Sequence, residues 1–240
     1  MRVGFAAPVS LHSAIGRDSA DVSRALVARG HAVKIIATEI EDVCEIGSRA
    51  DIEIIPWQKL SLDQISRDFD VLVVGIGDNY TFHGGAFSLF GAVPTVGIFH
   101  DFYLYNLFSG WLWRGGTRAD DERGWLHDQQ AVQTYGSHAG ADALAARSGA
   151  LSLADIAQRL PMTEWMAARC GGALAHSAFY LDRLRARCPG PVQAAAMPVS
   201  SRGIPALGPQ GSARLSVLTV GVMNPNKCVD KVIAAIAASP

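Results

Sequence analysis

Cysteine is scarce in this sequence and is not arranged in pairs. The 240 residues contain four cysteines, none in a C-x-x-C arrangement: Cys44, Cys170, Cys188 and Cys228. That pattern excludes a disulfide framework and a zinc ribbon, and we expect the thiols to stay reduced in a cytosol. Two histidines on helical stretches, His127 and His138, also lack the spacing of a motif such as H-E-x-x-H. The sequence therefore predicts no metal site.

An excess of charge of one sign is missing as well. The 21 Lys and Arg residues balance 22 Asp and Glu residues, the formal net charge is -1, and no block of five like charges occurs. Proteins that bind nucleic acid usually carry a basic patch or stripe. We therefore expect no nucleic acid among the partners.

Long apolar runs are absent too. The longest one, from Gly84 to Phe99, is interrupted by Ser88 and Pro94, and it is shorter than the roughly 20 residues that span a membrane. The first ten residues hold a short apolar run broken by Pro8, which is too brief for a signal peptide. We expect a cytoplasmic protein without a transmembrane segment, and peripheral contact with the inner face of the membrane is left open.

Apolar residues are nevertheless abundant, and they recur in a βα pattern. Hydrophobic residues make up 49% of the chain, which is ample for the core of a domain. A predicted strand, Arg2–Ala7, is followed by a predicted helix, Ser19–Arg29, and a second strand, Ala32–Ala37. This alternation is typical of an α/β fold, and it predicts a Rossmann-like, doubly wound parallel sheet.

The same pattern continues to about residue 199. Asp18 or Ser19 is expected to cap the first helix, and Gly30 to end it. A short helix is predicted at Leu62–Arg67, a largely helical region at 101–169 and a further helix at 178–187. The remaining predicted strands are short apolar runs: Ile52–Ile55, Asp70–Gly75, Thr95–Phe99, Gly172–Ala175 and Val192–Ala196.

A change in composition marks a domain boundary near residue 200. Residues 1–199 form the predicted first domain, and residues 200–213 are rich in Gly, Pro and Ser, which is typical of a linker. Residues 214–240 then contain one predicted strand, Leu215–Val220, a loop, Gly221–Lys227, and one helix, Val229–Ala238. One strand and one helix cannot bury their own apolar faces, so we expect the start of a second, incomplete Rossmann-like domain.

Lys227 marks the first candidate site. A helix expected to open at Asn226 or Lys227 would present free N–H groups and the positive end of its dipole to an anion, and the Lys227 ammonium would add a full charge there. An ordinary strand-to-helix connection with a solvated lysine is the alternative.

His100 and Asp101 follow the predicted strand Thr95–Phe99. Ligands of open α/β sheets lie beyond the carboxyl ends of the strands, where a histidine can position a substrate and a neighbouring carboxylate can fix its tautomer. Capping of the strand and of the next helix is an equally simple explanation.

Three further residues stand at the ends of predicted strands. Asn79 and His83 follow the strand that ends at Gly75, although a turn would also explain Asn79, and a surface histidine is the better explanation of His83 taken alone. Gly16 lies in the loop after the first strand, where its lack of a side chain permits close backbone approach. No G-x-G-x-x-G is present, so a nicotinamide-binding fingerprint is not supported.

These segments, in this order, resemble the retaining glycosyltransferases of family 4. The family's donor domain begins with a strand, then V-G-R or V-G-H, then N-x-x-K or N-P-N-K and an apolar helix, and the chain has VGVMNPNK from Val220 to Lys227. FHD, GIGDNYTFH and SAIGR resemble the family's H-D strand end, its G-N-x-x-x-x-H segment and its first S-G-I-G-R loop. The chain departs from the pattern at Val222, where many members have Arg, and at Cys228, where relatives often have Gly or Arg.

The resemblance implies a GT-B fold and the transfer of a sugar, with retained configuration and no bound cofactor or metal, from a nucleotide diphosphate sugar to a carbohydrate or lipid-linked acceptor. It implies catalytic roles for His100 and Asp101 and contacts to the donor diphosphate from Lys227, Asn226 and Asn224. Gly16, Asn79 and His83 would contact the acceptor or shape its loop. Trp111 and Trp113 are expected to pack in the core or to line the acceptor site.

Two other functions remain open at this stage. The chain as given would contain only the beginning of the donor domain, and we expect these 240 residues alone to be inactive. A non-catalytic binding module with a degenerate donor site would explain Val222 and Cys228. The second is a hydrolase whose active site contains His83, His100 and Asp101.

Overall fold

The computed structural model describes residues 1–41, 51–114, 119–197, 217 and 228–238. The chain forms two compact units, Met1–Val199 and Ser200–Pro240. In the first unit the described residues contain seven strands, all parallel, in the spatial order β3-β2-β1-β4-β5-β6-β7. They are β1 Arg2–Ala7, β2 Ala32–Ala37, β3 Ile54–Pro56, β4 Val71–Ile76, β5 Thr95–Phe99, β6 Gly172–Ala175 and β7 Val192–Ala194.

Helices connect these strands and cover the sheet. They are α1 Ala14–Ala28, α2 Leu62–Asp68, α3 Tyr80–His83, α4 Tyr105–Arg114, α5 Asp120–Tyr135, α6 Ala139–Arg147, α7 Leu153–Arg159, α8 Thr163–Ala167 and α9 Leu181–Arg185. Single 3₁₀ turns lie at Trp57–Lys59, Gly84–Ser88 and Ala178–Tyr180. Because parallel strands need crossover connections, the βα alternation of the sequence builds this arrangement, and the expected doubly wound α/β fold is confirmed.

Alternate residues of each strand pack on opposite faces of the sheet. Phe5 and Ala7 of β1 lie on the face covered by α1, where Val22 and Leu26 pack against them. Ala6, on the opposite face, belongs to a larger cluster that includes side chains from α2, α4, α8 and α9. Burial on both faces explains why these strands are nearly continuous apolar runs.

The first helix begins earlier than expected. Ser13, not Asp18 or Ser19, is its N-cap, and the Ser13 hydroxyl accepts a hydrogen bond from the Gly16 N–H at 3.0 Å. Ser19 instead lies one turn inside the helix and is buried. The expectation for the cap was therefore wrong, because the chain enters the helix as soon as it leaves the loop after β1. Gly30, with φ 86°, ends the helix as predicted.

Less of the second unit is described. Helix α10, Val229–Ala237, agrees with the predicted helix, but it begins two to three residues later than Asn226 or Lys227. Cys228, just before it, has a left-handed backbone with φ 48°. The predicted linker and the predicted loop Gly221–Lys227 lie outside the described residues, as does all of the predicted strand except Val217. In the part of the chain that is described, no helix is long and apolar enough to cross a membrane.

Candidate active site

The order of the strands reverses between β1 and β4, which are neighbours in the sheet. Ligands of doubly wound sheets bind at such a switch point, outside the carboxyl ends of the strands. The side chains that follow β4, β5 and β6, together with the first turn of α1, meet at this edge. We call this group the candidate active site.

Gly77, directly after β4, is the point where three of the predicted segments meet. A Cβ atom added there would lie 2.5 Å from Ile15 Cδ1, 2.7 Å from His83 Nε2 and 3.2 Å from Asp101 Oδ2. The first two distances are too short for a real methyl group, so a side chain here would displace the end of Ile15 and the buried His83 ring. The first turn of α1, the α3 segment and the end of β5 therefore converge, although they are distant in the sequence.

His83 is buried, with 5% of its surface exposed, so the explanation as a surface histidine was wrong. Its Nδ1 lies 3.0 Å from the carbonyl oxygen of Gly75, which places the ring proton on Nδ1 and leaves Nε2 as an acceptor directed toward Gly77. Burial lowers the pKa of His83 to about 4, with a smaller contribution from the nearby His100. The ring is therefore neutral near pH 7.

Asp101 and Asp78 connect the ends of β4 and β5. Asp101 Oδ2 accepts a hydrogen bond from the backbone N–H of Asp78 at 2.9 Å. The Asp78 carboxylate in turn accepts from the backbone N–H groups of Asn106 and Leu107, at 2.9 and 3.2 Å, and from the Asn106 side-chain amide at 2.6 Å. Asp78 thus caps the N-terminus of α4 from a separate element and fixes that helix at the site.

Burial also raises the pKa of Asp78 to about 7, and the charge of Asp101 acts in the same direction. The three hydrogen bonds from Asn106 and Leu107 oppose this shift, but they do not cancel it. Asp78 is consequently a carboxyl group that is partly protonated near neutral pH. Such a group can donate or accept a proton.

His100 is paired with a histidine and not with a carboxylate. Its ring centroid lies 4.7 Å from that of His176, which follows β6, and the two planes are tilted by 53°. Asp101, which was considered as the group that fixes the His100 tautomer, bonds instead to the Asp78 backbone because the chain turns toward β4 after His100. Burial, together with the nearby His176, lowers the pKa of His100 to about 4, so this ring is also neutral near pH 7.

Three polar atoms around these rings are buried without a hydrogen-bond partner in the described structure: Ser19 Oγ, His100 Nδ1 and His176 Nε2. His176 Nδ1 lies 3.0 Å from the Ala195 carbonyl oxygen, so its proton is on Nδ1 and Nε2 is an acceptor. All three residues line a cavity of about 190 Å³ whose other side is formed by Phe5, Val22, Ile98 and Leu174. Unpaired polar atoms around a cavity of this size indicate bound water or a ligand.

A larger polar groove lies on the other side of the same edge. Its volume is about 690 Å³, and it is lined by hydrogen-bonding side chains and one indole, including Asp78, Asn79, Asp101, Asn106, Trp113 and Arg114. Asn79 caps α3 by accepting from the Thr81 N–H at 3.0 Å. Trp113 lines the groove, whereas Trp111 packs against Phe108 and Trp165 in the core. Because His100 lines the cavity and Asp101 the groove, the end of β5 separates the two recesses.

Gly16 lies in the first turn of α1 rather than in a loop. A Cβ atom there would be 2.4 Å from the carbonyl oxygen of Pro8, so the connection between β1 and α1 requires glycine. The predicted donor ligands Lys227, Asn226 and Asn224 lie outside the described residues. Among the described residues, no three His, Cys, Asp or Glu side chains converge in a way that could hold a metal ion.

Sequence reasoning missed Asp78 and His176. His176 directly follows β6, as His100 directly follows β5, and Asp78 follows β4 after one intervening residue, Gly77. Ligands of open α/β sheets lie beyond the carboxyl ends of the strands, so the polar residues after every predicted strand are candidates, and these include Asp78 and His176.

Comparison with known proteins leaves the sequence family open. No family model matches the chain, and no curated protein matches it. Among solved structures, the chain is similar to an alpha-glucosyltransferase in complex with UDP and a 13-mer DNA containing an HMU base, with a TM-score of 0.40 and 11% identity. The match covers 83% of this chain but 43% of that one, so the chain spans less than half of that structure's length. The class of the molecule, a Rossmann-like doubly wound α/β protein, is defined by the strand order and the helices on both faces.

Proposed function

We propose that the chain is the acceptor-side part of a glycosyltransferase that moves a sugar from a nucleotide diphosphate sugar to a carbohydrate or lipid-linked acceptor, with retention and without a metal. The observation that supports this most directly is the convergence at Gly77, where Ile15, His83 and Asp101 lie around one point. Each belongs to a segment that resembles a separate motif of family 4. Their meeting at the switch point is what a shared substrate site requires.

The polar groove supplies the chemistry for an acceptor. Sugar hydroxyl groups both donate and accept hydrogen bonds, and the carboxyl and amide groups of Asp78, Asp101 and Asn106 offer both partners. Trp113 adds an apolar face against which a sugar ring can pack. Burial raises the pKa of Asp78 to about 7, so part of the population is ionised near neutral pH, and this carboxylate form can accept the proton of an attacking hydroxyl.

His100 would hold the transferred sugar. A neutral imidazole offers one donor and one acceptor nitrogen, and Nδ1 is buried without a partner in the described structure. Positioned hydrogen bonds of this kind lower the barrier when they are aimed at the reacting centre. Lys227, with Asn226 and Asn224, would bind the leaving diphosphate in place of a divalent ion.

The test is a transfer assay on the protein expressed from its whole gene, with a panel of nucleotide sugars and His100→Ala as the variant. We expect kcat to fall about 10²-fold, which is typical for the loss of one positioned donor, while the thermal midpoint changes little. His138→Ala, at the exposed start of α6, is the matched control and should keep full turnover.

Wild-type turnover in the His100 variant would refute its role. If the parent protein binds nucleotide sugars but transfers none of them, the binding module is the better explanation. If it hydrolyses a substrate without a sugar donor, the hydrolase is favoured instead.

A further inference from the structure

Arg169 is a partly buried cation that lies outside the candidate active site. It follows α8 on the helical face of the first unit, and its guanidinium carbon lies 4.0 Å from the centroid of the Trp165 ring and 5.7 Å from that of Trp111. One of its amino groups donates to the Trp165 carbonyl oxygen at 2.7 Å. Within the described residues it forms no ion pair with a carboxylate. A buried charge normally has such a partner, because desolvation makes an unpaired ion unfavourable.

The guanidinium faces a pocket of about 240 Å³ that we call the Arg169 pocket, lined by Gln130, Gln133, Thr134, Glu164, Arg169 and Arg187, with Trp165 and Ala168. Its volume is below the roughly 300 Å³ at which pockets begin to hold drug-sized molecules, so it suits a small ion or metabolite. Arg187 is the second cation there. It donates to the carbonyl oxygens of Gln133 and Thr134 near the end of α5, and it too lacks a carboxylate partner in the described structure.

The single carboxylate of the pocket is already neutralised. Glu164 is buried, and its Oε1 lies 2.5 Å from Arg183 Nε while its Oε2 accepts from the Tyr135 hydroxyl at 2.7 Å. Arg169 and Arg187 therefore carry an excess positive charge in a pocket whose other polar side chains are mostly uncharged. Burial lowers the pKa of Arg169 only to about 10, so the group remains charged near neutral pH.

We propose that the Arg169 pocket binds a small dianion, either a phosphate group or a dicarboxylate. A planar guanidinium presents parallel N–H groups that match two oxygens of one oxyanion, and stacking on Trp165 fixes its orientation before the ion arrives. A second guanidinium, from Arg187, would balance the second charge. The site is separate from the proposed glycosyl transfer, and neither proposal depends on the other.

Calorimetric titration of the whole chain in a chloride buffer, with inorganic phosphate in one arm and succinate in the other, tests the proposal. We expect saturable binding of at least one probe and a loss of affinity of at least about tenfold in Arg169→Gln, because the variant loses the charge and the paired donors. Arg169→Lys should bind more weakly than the parent but better than Arg169→Gln, because it keeps the charge and loses the paired donors.

Arg187→Gln is the second variant, and it decides the matter if Arg169→Gln fails to fold, because Arg187 is exposed. Arg185→Gln is the matched control: it removes one exposed arginine of α9 that pairs with Asp182 at 2.9 Å. Loss of binding in the Arg187 variant with unchanged binding in the Arg185 variant supports the site. Equal weakening in both variants overturns it. No saturable binding of either probe up to about 10 mM also overturns it, because neither dianion then binds with a useful dissociation constant.

Discussion

Replacing His83 with asparagine should flatten the acid side of the stability profile of the first unit. The His83 ring donates from Nδ1 to the Gly75 carbonyl oxygen, and an asparagine amide can make the same bond without titrating between pH 4 and 7. The variant loses ring volume in a buried position, which lowers its stability at every pH. The informative quantity is therefore the slope of the free energy of unfolding against pH, and not its absolute value at any one pH.

The sign follows from the direction of the pKa shift. Burial lowers the pKa of His83 from 6.5 to about 4, so between these values the unfolded chain binds a proton that the folded chain does not. The contribution of His83 to the free energy of unfolding is therefore highest above pH 6.5, and it decreases as the pH falls toward 4 because the unfolded chain takes up this proton. Each pH unit in this window is worth about 1.4 kcal/mol, which gives about 3 kcal/mol in total.

Other groups titrate in the same range, so the comparison must be made between variants. His100, with its pKa also lowered to about 4, acts in the same direction as His83. Asp78 acts in the opposite direction, because its raised pKa means that the folded state holds a proton that the unfolded state has released between pH 4 and 7. Both groups are retained in the variant, and the difference between the two profiles isolates His83.

Urea unfolding followed by tryptophan fluorescence measures the required free energies, since all five tryptophans lie in the first unit. We expect the difference between the parent and His83→Asn to shrink by about 3 kcal/mol from pH 6.5 to pH 4. His12→Asn, which removes an exposed histidine from the loop after β1, should retain the parental slope. Parallel profiles for the parent and the His83 variant would show that the buried ring does not resist protonation, and the assignment of a neutral His83 would fail.

Three further predictions concern other parts of the two units. Gly16→Ala should lower the free energy of unfolding by about 1–3 kcal/mol, because the added methyl group would lie 2.4 Å from the Pro8 carbonyl oxygen. Gly140→Ala is the control in the same urea denaturation assay. Its methyl group would meet only a Val132 methyl group at 3.3 Å, so it should lower the free energy of unfolding much less. The Asp78 carboxyl should titrate near pH 7 by carbon-13 NMR, and a midpoint that does not move downward in Asp101→Asn would contradict the contribution of the Asp101 charge. Lys227→Ala in the whole protein should weaken nucleoside diphosphate binding by about 1.5–3 kcal/mol in calorimetry, and unchanged affinity would reject Lys227 as a diphosphate ligand.

The strands could be predicted well because their signal is local. β1, β2, β5 and β6 occupy the predicted residues, since a strand buried on both faces must be apolar along its length and must end where polar or glycine residues begin. The start of α1 could not be predicted in the same way. Its cap depends on how the loop after β1 folds back, and Ser13, Asp18 and Ser19 are all acceptable caps by residue type.

The position of the candidate residues in the sheet could be predicted, but their pairings could not. His100, Asp101, Asn79 and His83 all lie at the carboxyl ends of the strands, because these ends of parallel strands meet at one edge. The direction in which the chain turns after each strand determines which of these side chains are in contact. Asp101 turns toward β4 and bonds to the Asp78 backbone, so His176 becomes the neighbour of His100, and no local pattern encodes that choice.

The charges around Gly77 bear on which part of the proposed substrates this end of the sheet can bind. His83 and Asp101 lie next to Gly77, and Asp78 is joined to Asp101 by a backbone hydrogen bond. The described groove that contains the two carboxyl groups is also lined by one cation, Arg114. These groups suit hydroxyls, but a leaving diphosphate needs positive charge, and two carboxyl groups would repel it. On the proposed function, Arg114 offsets one of these carboxyl groups, and the diphosphate needs further positive charge. Lys227 has the required charge by its residue type, and the affinity of the Lys227 variant for nucleoside diphosphate tests whether it supplies that charge.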